Sequence, residues 1–296
     1  MILVAGGTGA LGSTLVRRLR ARHAPVRVLT RVPARASHLP ADVEVATGDL
    51  RDTDSLARAI AGVTLVVAAA HGFGNDDSVS PATVDRQGNR NLIDAAARAG
   101  ADVVLMSGVQ AAASSRMELF RAKHDAEEYL RASVAPWTIV RATAFVETWA
   151  AIMGPPLKAQ GRTIVFGRGE NPINFVSIVD VAALVDQVIA DPTLRGQVLE
   201  IGGPANVTFN RFAALVGVSV GQPDRARHVP RVILGAMGAV LGPFKPSLAR
   251  HARAAVLMDQ DDMTFDSTAI RLRFPELPTT DVATALQEFF RRVEGV

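Results

Sequence analysis

Directly after four apolar residues, 2–5, the chain carries the glycine-rich turn Gly6-Gly7-Thr8-Gly9-Ala10-Leu11-Gly12. Apolar residues then recur at helical spacing between residues 11 and 19, so the segment predicts a strand, a tight turn and a helix. Glycines in such a turn permit positive φ and close approach of a pyrophosphate, which the first helical N–H groups would face. The segment therefore predicts a dinucleotide site that includes Gly6, Thr8, Gly9, Ala10, Leu11 and Gly12.

Strand-like and helix-like segments alternate up to residue 140. The strand candidates are residues 2–5, 26–30, 43–46, 65–69, 103–106 and 137–140, and the helix candidates between them are 11–22, 53–61, 83–99 and 117–132. The strands are continuous apolar runs, as expected for parallel strands covered on both faces. This rhythm predicts an α/β, doubly wound parallel-sheet Rossmann fold with its ligand at the carboxyl ends of the strands.

The rhythm changes after residue 140, where glycines and prolines at 154–156 and 167–169 predict loops. Further candidates are short strands at 163–166 and 198–201 and helices at 177–190, 208–216, 232–241, 248–258 and 281–293. We expect a dinucleotide-binding Rossmann domain of residues 1–153, completed by about residues 173–203. Residues 154–172 and 204–296 would form a smaller, mostly helical substrate or lid portion.

Composition excludes several classes of protein. Apolar residues make up 48% and charged residues 21% of the 296 residues, as in ordinary globular proteins. The chain has no cysteine, which excludes disulfides and thiolate metal sites. Its six histidines show no metal-binding spacing except His124 with Glu128 at i+4, and a single such pair is usually structural, so we expect no metal. A formal charge of +3, scattered arginines and only 5% aromatic residues argue against nucleic-acid binding.

The start of the chain shows no charged segment followed by an apolar one, so we expect no secretory signal. We expect a cytoplasmic location instead. The longest apolar run, residues 232–244, is about half of the roughly 20 residues that a membrane span requires. Stable membrane insertion is therefore not expected.

The second predicted strand ends in Thr30-Arg31, without the acidic residue that usually accepts hydrogen bonds from the ribose in NAD sites. Arg35 follows about one turn later. Two guanidinium groups and the Thr30 hydroxyl suit a 2′-phosphate, since arginine offers forked donors to phosphate oxygens. NADP(H) is the expected cofactor, and two solvated arginines are the alternative.

Two further loops follow predicted strands and would reach the cofactor. Gly48-Asp49-Leu50 follows the third strand, where the Asp49 carboxylate could accept from the adenine amino group or cap the next helix. After the fourth strand, Ala69 is small enough to let the backbone approach the cofactor. His71 could line the site or be an ordinary polar loop residue.

Together these motifs resemble the NmrA-like atypical short-chain dehydrogenase/reductases. The resemblance rests on the glycine turn, Thr30-Arg31, Gly48-Asp49-Leu50, residues 123–145, residues 174–182 and residues 200–204. Residues 123–128 and 136–141 are similar to that family's lysine helix and sixth strand. The resemblance covers about residues 1–216 and does not specify a substrate.

The chain departs from the short-chain dehydrogenase pattern at one position. Those enzymes usually carry a tyrosine four residues before the lysine, and Leu119 stands there before Lys123. Tyr129, the single tyrosine, is six residues after Lys123 and on another helical face. The resemblance then implies either a reductase in which Lys123 binds the nicotinamide ribose and donates the proton, or a regulatory member without turnover. A surface pair of Lys123 with Glu127 is the structural alternative.

Four more side chains could contact a substrate. Ser107 ends the fifth strand, where it would orient a carbonyl or simply cap the strand. Phe145, Trp149 and Met153 follow the sixth strand at helical spacing and would wall an apolar pocket or belong to the core.

Residues 225–245 place apolar residues 232–241 between basic flanks. Because these apolar positions go nearly all round a helix, we expect a buried helix or a lid, in preference to contact with a membrane surface.

The favoured hypothesis is an NADPH-dependent reductase acting on a small apolar carbonyl, enone or quinone-like acceptor. A non-catalytic NADP(H)-binding redox sensor is the alternative. An epimerase or dehydratase is disfavoured by the missing tyrosine. Substrate identity and oligomeric state are left open.

Overall fold

The computed structural model describes residues 1–223 and 225–294. In chain order the strands are β1 Ile2–Ala5, β2 Val26–Thr30, β3 Glu44–Thr47, β4 Leu65–Ala68, β5 Asp102–Gly108, β6 Trp137–Ala142, β7 Ala144–Phe145, β8 Thr163–Phe166, β9 Pro172–Val176, β10 Gln197–Ile201, β11 Asn206–Thr208 and β12 Ala226–Val229. The helices are α1 Ala10–Ala21, α2 Thr53–Ala59, α3 Asn89–Ala99, α4 Glu118–Arg131, α5 Val146–Gln160, α6 Ile178–Ala190, α7 Phe209–Ser219, α8 Arg231–Val240, α9 Pro246–Met258, α10 Thr268–Arg273 and α11 Val282–Glu294. A π-helical turn, Ala82–Gly88, leads into α3.

The chain divides into two compact units, and the first consists of Met1–Ala142 and Val181–Glu200. Its seven-stranded sheet has the order β10-β6-β5-β4-β1-β2-β3, with parallel pairing from β3 through to β6. The strand order reverses between β1 and β4, which lie side by side although β2 and β3 separate them in sequence. The α/β, doubly wound Rossmann fold is confirmed, and its switch point lies where the glycine turn begins.

The first unit's strands are not all covered on both faces. β1 and β4 are buried throughout, because each pairs with a neighbour on both sides and consists of aliphatic residues. β3 lies at the edge of the sheet, and three of its four residues are exposed. The expectation of continuous burial was wrong for this strand, since an edge strand has a neighbour on one side only.

The segment 181–200 completes the first unit, although it comes late in the sequence. The Thr138 hydroxyl in β6 donates to the Leu194 carbonyl at 2.9 Å. Arg195 pairs with Asp102, at the start of β5, at 2.6 Å. Together with β10 these bonds attach a late segment to strands formed much earlier in the sequence.

The second unit consists of Thr143–Asp180 and Ile201–Val296. It begins at residue 143, eleven residues before the expected start at residue 154, because β7 pairs with β9 and not with the seven-stranded sheet. It has a three-stranded sheet, β11-β9-β7, and a parallel pair, β12 with β8. The sequence predicted β8 but did not predict β7, β9, β11, β12 or the short helix α10.

An aromatic cluster forms the core of the second unit. The ring of Phe209 lies edge-on to Trp149 at 4.6 Å and to Phe175 at 5.8 Å, and Phe212 lies 4.7 Å from Phe175. Phe175, Phe209 and Phe212 are fully buried. These rings join α5, β9 and α7, and edge-on pairs stabilise such a core beyond the apolar area that they bury.

Residues 154–156 lie inside α5, so the predicted loop is wrong at this position. Pro155 and Pro156 lack the N–H groups that would close two helical hydrogen bonds. Met153 and Leu157 are nevertheless fully buried on the same helix, and Gly154 fits against the ring of Phe290. Packing of this apolar face outweighs the missing hydrogen bonds.

The predicted helix at 232–241 is α8, and its apolar residues are not buried all round. Leu234 and Gly238 are buried, but Val232, Ile233 and Val240 are exposed. The expectation of a buried helix was therefore wrong, because only one side of α8 packs against its own unit.

Within residues 1–223 and 225–294, no helix is long and apolar enough to cross a membrane. The same residues bring together no group of three or more His, Cys, Asp or Glu side chains that could hold a metal ion.

Candidate functional site

The glycine turn leaves no room for side chains at two positions. Gly6 has a φ of +85°, and a Cβ there would lie 2.7 Å from the backbone nitrogen of Ala70, which follows β4. A Cβ on Gly12 would lie 2.2 Å from the Gly6 carbonyl oxygen. The turn, the start of α1 and the end of β4 therefore approach one another at distances that only glycine allows.

The N-terminus of α1 is open toward this turn. Gly9 is the N-cap, no side chain caps the helix, and its first turn has no acidic residue. Gly9 and Ala10 are exposed and Thr8 is half-buried, whereas Leu11 lies in the core. The first N–H groups of a helix are a ready site for an anion, and the helix dipole adds to it.

The arginines expected to bind the 2′-phosphate lie on the surface of the first unit. Arg31 follows β2, and its guanidinium lies 3.3 Å from the Asp76 carboxylate. The hydrogen bond from the Ser78 hydroxyl lowers the pKa of Asp76, and Arg31 lowers it further. Arg35 is exposed on a 3-10 turn, Pro33–Ala36. An exposed ion pair of this kind is weak, so a phosphate could displace Asp76 from Arg31.

Asp49 binds a neighbouring arginine that the sequence did not single out. Its carboxylate accepts from the Arg51 guanidinium at 2.6 and 3.0 Å, and these hydrogen bonds lower the pKa of Asp49. Arg51 also donates to the Ser78 carbonyl at 3.1 Å. Arg51 and Arg31 thus each face a carboxylate in the same part of the unit.

The remaining residues predicted at the cofactor site have mixed surroundings. Thr30 is buried, and its hydroxyl donates to the Val32 carbonyl at 3.2 Å. Leu50 belongs to the buried core, and a Cβ added at Gly88 would lie 2.8 Å from the Cβ of Leu50. Ala69 is half-buried beside Gly6, and His71 is exposed.

Lys123 is held at the carboxyl ends of β4 and β5. Its Nζ donates to the Met106 carbonyl in β5 at 3.1 Å and lies 3.3 Å from Oδ1 of Asp85. The alternative of a surface pair with Glu127 is wrong, since Glu127 is fully buried and bonds to other side chains. An ammonium has three N–H donors, and the hydrogen bond to the Met106 carbonyl uses one of them, while Oδ1 of Asp85 lies at ion-pair distance without a hydrogen bond.

Asp85 is the residue of this cluster that the sequence did not reveal. It is fully buried on the π-helical turn, and its Oδ2 accepts from the Gly72 N–H at 2.8 Å. One carboxylate therefore fixes both Lys123 and the loop that follows β4. The neighbouring residues Thr83, Arg86 and Gln87 are polar, so nothing in the local sequence indicated a buried carboxylate. π-turns of this kind are frequent at functional sites.

Ser107 is not available as a carbonyl-orienting group, because its hydroxyl donates to Oε1 of Glu127 at 2.5 Å. The same carboxylate accepts from Arg141 at 2.6 and 2.9 Å, and these hydrogen bonds raise the pKa of Arg141. Arg131 lies 3.2 Å away on the same helix as Glu127. Glu127, Ser107, Arg131 and Arg141 therefore form a largely buried structural network that joins α4 to β5 and β6.

Tyr129 lies apart from the lysine cluster. Its hydroxyl donates to Asp94 in α3 at 2.8 Å, and this hydrogen bond raises the pKa of the phenol. The Arg90 guanidinium lies 5.2 Å from the centre of its ring. Tyr129 therefore joins α4 to α3.

The predicted apolar pocket residues lie in the second unit. Phe145 and Trp149 are half-buried. Met153 is fully buried, so the prediction that it lines a pocket is wrong and it belongs to the core. Between them, Glu147 accepts from the Ile178 N–H and the Ser177 hydroxyl at the start of α6, and burial raises the pKa of its carboxyl.

The geometry of the first unit fits a dinucleotide. The glycine turn forms a cradle that a Cβ at Gly6 or Gly12 would fill, and the open end of α1 supplies N–H donors for a pyrophosphate. The lysine cluster lies at the same edge of the sheet, beyond β4 and β5. Phosphate, ribose and nicotinamide groups could thus be held along one edge.

Comparison with known proteins agrees with this geometry. The sequence profile of a family described as NAD(P)H-binding matches residues 6–192. The chain belongs to this NAD(P)H-binding family. An NAD(P)H azoreductase from Xenophilus azovorans is 30% identical over 249 residues, which are 83% of this chain and 82% of that protein. The family expected from the sequence, and an NAD(P)H-type cofactor, are confirmed.

Solved structures of the same fold include two oxidoreductases. An NADPH-dependent quinone oxidoreductase from Escherichia coli, solved with NADPH, superposes with a TM-score of 0.77 at 24% identity and covers 98% of this chain and 100% of its own. Triphenylmethane reductase from Citrobacter sp., solved with NADP(H), has a TM-score of 0.78 at 18% identity, with 98% and 100% coverage. These likenesses show the shared fold.

Proposed function

We propose that this member of the NAD(P)H-binding family is an NADPH-dependent reductase that transfers hydride to a small, flat, conjugated and largely apolar acceptor. The observation that carries the proposal is the Lys123 ammonium, held by Asp85 and the Met106 carbonyl at the carboxyl ends of β4 and β5. A charged group fixed at that edge of a doubly wound sheet is positioned for a bound ligand.

Different residues of the first unit would bind different parts of the cofactor. The glycine turn and the start of α1 would bind the pyrophosphate, and Arg31 with Arg35 would bind the 2′-phosphate. An N–H of Lys123 that does not bond the Met106 carbonyl would donate to the nicotinamide ribose or to the acceptor. The bound cofactor supplies the hydride, and Asp85 keeps Lys123 from turning away.

The acceptor class follows from what the lysine helix lacks. Leu119 stands where short-chain dehydrogenases carry their acid, so a simple ketone would develop a localised alkoxide with no acid at that position. A quinone, enone or extended aromatic acceptor spreads that charge over its own π-system and needs less help. The azoreductase, quinone oxidoreductase and triphenylmethane reductase named above are, by their names, enzymes for conjugated acceptors.

Replacing Lys123 with methionine should lower kcat/KM for NADPH oxidation by about tenfold, because a charge-assisted hydrogen bond to the bound ligands is lost. The assay follows NADPH absorbance with a quinone, an azo dye and a triphenylmethane dye. Lys158→Met, in the second unit, is the matched control and should retain activity. Because Lys123→Met leaves Asp85 unpaired, the double variant with Asp85→Asn tests the same loss without a lone buried charge.

Two results would contradict the proposal. Wild-type protein that binds NADPH yet oxidises it with none of these acceptors would indicate the non-catalytic redox sensor. Full activity of the folded Lys123→Met/Asp85→Asn variant would remove the lysine from the mechanism.

Arg31→Ala should weaken NADPH binding by about tenfold and leave NADH binding unchanged, because only NADPH carries the 2′-phosphate. A fluorescence titration with each cofactor measures both affinities, with Arg98→Ala in the last turn of α3 as the control. Asp76→Asn should have the opposite effect on NADPH, since it removes a carboxylate that competes for Arg31. Equal losses for NADH and NADPH would refute the assignment of Arg31 to the 2′-phosphate.

A further inference from the structure

Helix α8 in the second unit presents apolar residues to solvent. Val232 is 83% exposed and Val240 is 66% exposed, and Ile233 is also exposed. Phe244, four residues beyond Val240, is 77% exposed. Large apolar side chains that are exposed close together, rather than singly, mark a surface that binds something.

The exposed residues form one stripe. At 3.6 residues per turn, positions 232, 233, 236 and 240 fall within an arc of about 100° on the helix. Leu234 and Gly238, which are buried, lie on the opposite side. Helix α8 is therefore apolar on both sides, whereas the outer side of an ordinary surface helix is polar.

The stripe is held in a fixed position by the helix that follows. Leu234 packs with Ala252 and Ala255 of α9 in a small buried cluster. The Arg253 guanidinium donates to the Gly238 carbonyl at 2.5 Å. α8 and α9 thus form a supported surface, with Phe244 in the connection between them.

The positive charge of the protein is concentrated around this surface. Residues 225–258 contain no Asp or Glu and carry a formal charge of +6, contributed by Arg225, Arg227, Arg231, Lys245, Arg250 and Arg253. The rest of the chain carries −3, so the appearance of evenly scattered charge in the sequence is misleading. Of the six, Arg231 lies 3.5 Å from the buried carboxylate of Asp259, while Arg225, Arg227 and Lys245 are exposed.

We propose that the α8 surface, defined by Val232, Ile233, Val240 and Phe244 with the surrounding basic residues, docks on the surface of an anionic lipid bilayer. Exposed apolar side chains beside basic ones are the composition of helices that lie in the membrane interface. Since Leu234 and Gly238 hold the opposite side of α8 against its own unit, the helix would lie along the bilayer surface. The assignment is independent of the reductase activity.

A second copy of the chain is a poorer occupant. A symmetric dimer would place two identical faces together, and each face would bring its own excess of positive charge. Anionic headgroups neutralise that charge instead, and each basic residue near the surface adds to the attraction.

The test is co-sedimentation of the full-length protein with vesicles of equal parts phosphatidylglycerol and phosphatidylcholine, against vesicles of phosphatidylcholine alone. We expect binding to the anionic vesicles to be stronger by about tenfold or more, and to fall as salt is added. Val232→Glu should abolish most of the binding. Val134→Glu is the matched control, because Val134 is 89% exposed in the first unit, and it should bind as the wild type does.

Three outcomes would overturn the proposal: binding to neither kind of vesicle, equal loss for both variants, or equal binding to neutral and anionic vesicles. A concentration-dependent dimer in sedimentation velocity that Val232→Glu dissociates would assign the surface to a second copy. Unchanged thermal unfolding of Val232→Glu is the check that lost binding reflects the surface and not the fold.

Discussion

Replacing Gly12 with alanine is expected to weaken NADPH binding by about 100-fold. The new Cβ would lie 2.2 Å from the Gly6 carbonyl oxygen and 2.7 Å from the Cα of Gly7. Both neighbours are backbone, so α1 must move away from the turn that it completes. Overpacking of this kind costs about 1–3 kcal/mol, and the displaced helix N-terminus no longer faces the pyrophosphate.

A fluorescence titration with NADPH measures this loss, and the circular dichroism spectrum checks that the variant is folded. Gly74→Ala is the matched control, because a Cβ there has no neighbour within 4 Å and φ is not in the left-handed region. It should bind NADPH normally. If folded Gly12→Ala binds as tightly as the wild type, the phosphate site is not at this turn.

Glu127→Ala is expected to lower the free energy of unfolding by about 3–5 kcal/mol, the effect of removing one partner of a buried ion pair. Glu127 is fully buried and bonds to Ser107, Arg131 and Arg141. Without it, Glu200 at 3.1 Å is the one carboxylate among residues 1–223 and 225–294 that still pairs with the mostly buried Arg141 guanidinium, and the Ser107 hydroxyl loses its acceptor. The strands β5 and β6 and the helix α4 would thereby lose their shared polar contact.

Urea unfolding of the wild type and the variant measures this difference. Glu128→Ala is the control on the adjacent residue, whose more exposed pair with Arg131 should contribute less than about 1 kcal/mol. A loss of similar size in the two variants would mean that water reaches the Arg141 guanidinium and that the network is not tightly closed.

Local patterns in the sequence were enough to predict most strands and helices of the first unit. β1, β2, β5 and β6 are aliphatic strands whose positions follow from short apolar runs, and Gly6 and Gly12 stand where backbone segments converge. The importance of Lys123 came from the family resemblance. Such features are encoded within a few residues, so a reader of the sequence can find them.

Other features depend on residues far apart and left no local signal. Asp85 and Lys123 are 38 positions apart, and only the placement of the π-turn against α4 brings them together. The helix through Pro155 and Pro156 exists because of packing by Phe290 and other core residues, which outweighs a strong local preference for a break. The exposed side of α8 likewise depends on how little of it its own unit covers.

Neither unit is built from a continuous segment, since the chain passes between them at 142/143, 180/181 and 200/201. This has a consequence for the order of folding during synthesis. The first unit cannot receive its last strand, or the acceptor for the Thr138 hydroxyl, until about two thirds of the chain has been made. Each unit contains one of the two tryptophans, Trp137 in the first and Trp149 in the second, so single-tryptophan variants would report the completion of each unit separately.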